Sequence, residues 1–243
     1  MILVLPVGTI EMIPLGDRAI TMTLSGNAGT ESWGAAAAIA VLLSESQQDW
    51  MLDIVPAYET VTVVYDPGKL VRSEEGFPYE TAVRLISRML GNSDIRMKAL
   101  ASSVREIPIC YGGDYGPDLE EAGKRAGLTV PEFIRLHSSA EYTVAMIGFM
   151  PGFPYMAGLP PQLAQPRKSV PRTAVPAGSV GIAGSQTGIY PLTVPGGWQI
   201  IGRTNVRLFD PDRDDAVLLR AGDRVRFVPV EPEMLLTGRE RLL

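Results

Sequence analysis

Residues 142–209 set the strongest limit on how this chain can fold. Of these 68 positions, ten are Gly and nine are Pro. Pro removes a backbone donor and breaks a helix interior, and Gly weakens one, so a segment with such a residue at more than one position in four is not helical. Helical periodicity is indeed absent from residue 142 onward. Short β-branched runs survive at 143–147, 180–183 and 199–202, and again at 216–219 and 224–228. Short strands joined by long Pro/Gly-rich loops predict a closed or nearly closed β-barrel.

The same stretch contains no Asp or Glu, although the 243-residue chain has 27 acidic residues. Arg167, Lys168, Arg172, Arg203 and Arg207 give it a formal charge of +5, so the remainder carries −10 within a net charge of −5. A basic, carboxylate-free island in an acidic protein points to a surface shaped for an anion. Gly178-Ser179, residues 184–188 and Gly196-Gly197 fit that purpose, because bare backbone amides in such loops approach a phosphate or carboxylate closely. Tight turns with a solvated cationic rim are the alternative.

Earlier in the chain, residues 10–24 predict a strand, a turn broken by Pro14, Gly16 and Asp17, and a strand over 19–24. An Ala-rich apolar stripe predicts a helix over 33–46. Residues 54–65 read as a strand pair or one long bent strand with Pro56 at its start, and 77–90 as a second helix. With 104–111 as a further strand, the order resembles an α+β unit of the split βαβ, ferredoxin-like type. The expected domains are therefore 1–98 and 99–243. After the turn-rich YGGDYGP, a helix is predicted over 117–125 and stopped by Gly127. Thr129 and Glu132 form a capping box for a short helix over 131–136.

Exclusions narrow the function. One cysteine (Cys110) and one histidine (His137) allow no disulfide framework, no His-based metal site and no Cys₄ site. Neither a Walker-type phosphate loop nor a Gly-x-Ser-x-Gly elbow occurs. The acidic net charge argues against nucleic-acid binding. No apolar run approaches the ~20 residues of a membrane span, and the N-terminus lacks the features of a signal peptide, so a soluble, cytoplasmic protein is expected. His137, at the end of the capped helix, reads as a cation suited to the helix dipole or as an acid/base group. Asp114 reads as a turn residue or as a carboxylate for Mg²⁺. Phe149, Phe153, Tyr155, Tyr190 and Trp198 read as core or as a cleft lining, with proline-flanked Tyr155 and Tyr190 the better surface candidates.

The strings GFMPGFPY, PRKSVPRTAVPAGSV, GSQTGIYP and PGGWQIIGRT, with IVPAYETVTVVYDP, YGGDYGPDLEE and AGDRVRF, resemble the kinase-inhibitor/allophanate hydrolase subunit 1 family, related to carboxyltransferase subdomains C and D. The resemblance spans nearly the whole chain. It implies a ferredoxin-like N-terminal domain followed by a cyclophilin-like β-barrel. It further implies one component of an ATP-dependent 5-oxoprolinase complex, which with Mg·ATP would activate 5-oxoproline for hydrolysis to glutamate. A larger homologous barrel subunit (allophanate hydrolase subunit 2 type) and a ring-opening subunit would be the partners, and the chain would be inactive alone. The family motif positions carried over are Asp114, His137 and Arg172 as catalytic candidates. Gly152, Phe153, Tyr155, Arg167, Gly178, Gln186, Thr187, Tyr190 and Arg203 are candidates for holding substrate or nucleotide, beside Trp198. Met156, Ala157 and Ala221 depart mildly from the motif. Inhibition of a sensor histidine kinase, or a role related to allophanate hydrolase and urea amidolyase, are the alternatives the same motifs allow.

Overall fold

Alternation of apolar and polar residues builds the first sheet. The computed structural model describes residues 1–5, 8–26, 30–70, 76–91 and 104–237. The chain divides into two compact units, Met1–Ser102 and Ser103–Leu243. The boundary expected near residue 98 lies outside the described residues.

In the first unit, β1 (Ile2–Leu5), β2 (Gly8–Pro14), β3 (Ala19–Ser25), β4 (Met51–Ala57) and β5 (Thr60–Tyr65) form one five-stranded sheet of order β1-β2-β3-β5-β4. All its pairings are antiparallel. Ile10, Met12, Ile20, Met22, Val61 and Val63 bury one face. Against it pack Ala35, Ile39 and Leu43 of α1 (Thr30–Glu45) and Ala82, Ile86 and Leu90 of α2 (Pro78–Gly91). Each such Ile or Leu side chain removed from water contributes about 1.5–3 kcal/mol. The alternate residues Thr21 and Thr62 meet on the opposite face, their hydroxyls 3.1 Å apart. Residues 54–65 thus resolve into a hairpin. Pro56 falls in β4, an edge strand, where its missing N–H costs no ladder bond.

One expectation is corrected. Residues 104–111 do form a strand, β6 (Val104–Tyr111), but it pairs with barrel strands and not with the first sheet. The place beside β3 is held by β2, because the β2–β3 hairpin is closed locally.

The second unit is a closed seven-stranded barrel of order β10-β11-β8-β7-β14-β6-β13. Its strands are β6, β7 (Tyr142–Ile147), β8 (Pro154–Ala157), β10 (Ser179–Ala183), β11 (Gln186–Ile189), β13 (Gln199–Arg203) and β14 (Arg224–Pro229). β6 and β14 run parallel, and the other pairs are antiparallel. A separate ribbon joins β9 (Arg172–Val175) and β12 (Val194–Gly196). Val180, Ile182, Ile189, Ile201, Met156 and Phe227 fill one cluster, while Ala183, Ile200, Phe153, Tyr190 and Trp198 form another. Alternation along β10 and β13 therefore splits their side chains between the barrel interior and an outer face. The strand expected at 216–219 is absent, and Val217 makes a single bridge to Phe209.

α3 (Leu119–Ala126) ends at Gly127 in the left-handed conformation, φ +67°. α4 (Val130–Ser139) begins with the expected capping box and extends further than expected. A short α5 (Pro232–Thr237) follows β14. Among the described residues, no helix is long and apolar enough to cross a membrane. The loop between β6 and α3 lies against β13: Gly112 and Asp118 donate their amides to the carbonyls of Ile201 (3.1 Å) and Ile200 (2.9 Å). A Cβ on Gly116 would collide with the Ile201 carbonyl. Gly116→Ala is thus expected to destabilise the protein by about 1–3 kcal/mol, read as a lower urea midpoint. An unchanged midpoint would show that this loop does not press on β13.

Candidate functional site

The carboxylate-free stretch receives a carboxylate from outside itself. Asp118 occupies the N-cap position of α3 but makes no side-chain cap bond there. Its Oδ2 accepts the amide of Ile200 (2.7 Å), and its Oδ1 accepts from Arg172 Nη2 (2.7 Å) and Lys168 Nζ (3.1 Å). Burial alone would push this carboxyl up, but the bonds from Arg172, the Ile200 amide and Lys168 together hold it below the usual carboxylate range. Arg172 also reaches the Trp198 carbonyl (3.5 Å), and Lys168 donates its backbone amide to Gly197 (2.7 Å). Gln199 Nε2 holds the Pro166 carbonyl (2.9 Å), and Gln165 joins Arg125 Nε (2.8 Å) to the Ala122 carbonyl (3.2 Å). The 165–172 loop is thereby stitched to α3 on one side and β13 on the other.

These groups line an open cleft of about 410 Å³ that includes Asp118, Glu121, Arg125, Arg167, Lys168 and Gln199. With Arg172, four cations stand there against two carboxylates. Arg167 is exposed and makes no hydrogen bond or ion pair among the described residues. Its charge opposes the upward push that burial gives the Tyr155 phenol. Tyr190, buried, is pushed up to about 12, chiefly by burial. Both phenols are therefore neutral donors at neutral pH, not bases. Phe153 lies at the centre of an aromatic cluster, with Phe149, Tyr155, Tyr190 and Trp198 at ring distances of 4.8–5.7 Å. Phe153, Tyr190 and Trp198 are core, Tyr155 is half-buried and Phe149 is exposed. Gly152 is a buried turn beneath Leu208 and Phe209.

His137 lies elsewhere, in the barrel interior, and is fully buried. Its Nδ1 is 2.7 Å from Tyr111 Oη and its Nε2 is 3.2 Å from Thr187 Oγ1. Thr187 spends its own proton on the Gly181 carbonyl (3.0 Å), so it accepts from Nε2–H, and Nδ1 accepts from Tyr111. Tyr142 Oη donates to the His137 carbonyl (2.8 Å), and the ring stacks on Phe227 at 4.8 Å. Burial lowers the imidazole from its ordinary 6.5 to about 3. Neither the helix-dipole cation nor the acid/base role expected for His137 fits a neutral, enclosed ring with both nitrogens engaged.

Other expectations change as well. The amides of Gly178, Ser179 and Gly184 are not free for an anion, since they donate to the carbonyls of Tyr190, Pro176 and Gln165. The 184–188 loop is a hairpin whose Thr187 faces inward to His137, with Gln186 half-buried at its start. Asp114 is an exposed residue of the Gly112–Gly116 turn, and among the described residues no group of three or more His, Cys, Asp and Glu converges on a metal position. Gly178 and Arg203 sit together where β10 meets β13, beside Tyr115. The residue missed entirely is Asp118. The sequence put it inside the first turn of the helix expected over 117–125, where an acidic residue is ordinary, and only the structure makes it the residue before Leu119.

An α+β chain whose barrel carries a cationic cleft on its outer face defines the class. The chain belongs to the carboxyltransferase domain, subdomain C and D, family, whose model matches residues 10–219. It is 41% identical over 221 residues to the 5-oxoprolinase B subunit of Bacillus subtilis (strain 168), covering 89% of this chain and 91% of that one. It is 46% identical over 181 residues to the 5-oxoprolinase B subunit of Escherichia coli O157:H7, covering 74% and 78%. The crystal structure of TTHA0988 superimposes with a TM-score of 0.74 at 39% identity over 88% of this chain. This chain spans 40% of the length of that one.

The state of His137 has a measurable consequence. Because protonation favours the unfolded chain, its contribution to stability is complete above pH 6.5 and is lost as pH falls toward 3. The loss is about 1.4 kcal/mol per pH unit. The NMR resonances of this sole imidazole are expected to stay in the neutral position from pH 7.5 to 5. A midpoint near 6.5 would overturn the buried relay.

Proposed function

We propose that this chain is the B subunit of an ATP-dependent 5-oxoprolinase and supplies an anion-holding surface to a composite active site. The observation that carries this reading is the convergence of Lys168 and Arg172 on Asp118 at the mouth of a cleft shared with Arg125 and Arg167. Cations held in fixed directions by one carboxylate are preorganised to receive the phosphates of Mg·ATP. In the reaction envisaged, the γ-phosphoryl group moves to the lactam oxygen of 5-oxoproline and ADP leaves. Water then adds to the activated carbon and the C–N bond breaks, leaving γ-glutamyl phosphate, which a second water hydrolyses to glutamate and phosphate. Arg172 and Arg167 balance charge on the transferring group, and Tyr155 borders the same surface. Of the other motif positions, His137, Thr187 and Gly152 serve by shaping the barrel that presents the cleft.

Partner subunits complete the site in this proposal: a larger homologous barrel subunit and a ring-opening subunit, with the chain inactive by itself. The relatives' designation as one lettered subunit of 5-oxoprolinase supports it. So does the longer TTHA0988 chain, more than half of which lies outside the match. The antiparallel first unit is read as ferredoxin-like, with β2 in place of a C-terminal strand, and the barrel as cyclophilin-like. The domain boundary is placed near residue 98, and the working compartment is the cytoplasm.

Reconstitution tests the proposal. Mixing the chain with its two partner subunits is expected to give ATP hydrolysis that depends on 5-oxoproline. Arg172→Ala should lower that rate about a hundredfold while the melting curve remains cooperative. Full activity in the variant would remove Arg172 from the site, and a mixture without 5-oxoproline-dependent turnover would remove the enzyme reading.

A further inference from the structure

Arg203 differs from the other cations of the basic stretch. Lys168 and Arg172 share Asp118 as their ion-pair partner, Arg207 pairs with Asp210, and Arg167 is exposed to water. Arg203 is half-buried, its Nε is enclosed without a hydrogen-bond partner, and among the described residues no carboxylate pairs with it. Its guanidinium lies 5.7 Å from the centre of the Tyr115 ring. Directly across the β10–β13 ladder stands Ser179, whose side chain is fully buried and whose Oγ also has no partner. Opposed residues of an antiparallel pair project from the same face, so the two unsatisfied groups are neighbours. A desolvated cationic donor and a hydroxyl left together without partners cost free energy unless a ligand engages them.

We propose that Arg203, Ser179 and Tyr115 form a binding site for a small monocarboxylate. One carboxylate oxygen bridges Arg203 Nε and Ser179 Oγ, the other takes an Arg203 Nη, and the apolar part of the ligand lies along Tyr115. The guanidinium fork matches a carboxylate in shape and charge. Its stem is fixed by packing: Gly178, at φ +80°, has its Cβ position filled by the Thr204 carbonyl and Arg203 Cγ. A phosphate fits less well. It needs several donors, and the nearby amides of Gly178, Ser179 and Thr204 are committed to the carbonyls of Tyr190, Pro176 and Gly178. This inference rests on the 5-oxoprolinase reading in one respect: it assigns the carboxylate of 5-oxoproline to Arg203 and leaves the phosphates to the cleft at Asp118.

The test is an NMR titration of the full chain labelled with ¹⁵N-arginine, with the Arg203 Nε–H signal assigned by its loss in Arg203→Lys. Acetate and 5-oxo-L-proline are each expected to shift that signal to saturation, and phosphate at equal ionic strength to leave it in place. Ser179→Ala should weaken both carboxylates about 2–10-fold. No shift with either carboxylate, or an equal shift with phosphate or chloride, overturns the site. A shift with acetate alone overturns the assignment to 5-oxoproline. In the assembled complex, Arg203→Lys is expected to raise KM for 5-oxoproline at least tenfold. An unchanged KM with normal turnover overturns the site while leaving the proposed enzyme intact.

Discussion

Asp118 joins three parts of the barrel unit through one carboxylate. Its oxygens receive a strand amide, a lysine and an arginine, so α3, the 165–172 loop and β13 meet at a single acidic group. The three donors outweigh the cost of burial, and the carboxylate stays ionised. Without it, Lys168 and Arg172 would repel each other, and the Ile200 amide would lose its acceptor. The cationic cleft is thus a consequence of one charge placed where the basic stretch has none of its own.

The barrel interior solves a different problem. An imidazole among isoleucines and phenylalanines is tolerable because every polar atom around it has a partner in a fixed direction, from Tyr111 through His137 and Thr187 to the Gly181 carbonyl. The relay ties α4 to β6, β10 and β11 and gives the barrel a specific internal register. It also separates structure from chemistry: titratable groups inside are held neutral, while charged groups lie on the outer face along β13. The outer face is marked by Trp198, just before β13, and by Ile200 and Arg203 on that strand.

The outer face offers cations, phenols, an exposed Phe149 and the cleft carboxylates Asp118 and Glu121, and among the described residues no metal-binding cluster. Two separate cationic places result, one bound to Asp118 and one at Arg203, which among the described residues pairs with no carboxylate.

Local features were legible in the sequence. The β2–β3 hairpin, the helix expected over 117–125 and found at Leu119–Ala126, the helix after Thr129, the capping box and the β-rich character of residues 142–209 all depend on neighbours within a few positions. The anion-seeking character of the basic stretch was visible from composition, but its wiring was not. Three facts depend on pairing across the chain: β6 closes the barrel and does not extend the first sheet, the Gly178 and Gly184 amides are spent on carbonyls, and Asp118 reaches Ile200 across 82 positions. The sequence by itself determined the helices, several of the strands and where charge is scarce, because dihedral preference and composition are local. Strands such as β8, β9, β11 and β12, within Pro- and Gly-rich loops, were decided by pairing. Tertiary structure alone decided which cations meet a carboxylate, that His137 is buried and neutral, and that among the described residues Arg203 pairs with none. Those outcomes are set by long-range register and by desolvation, which exist only once the barrel has closed.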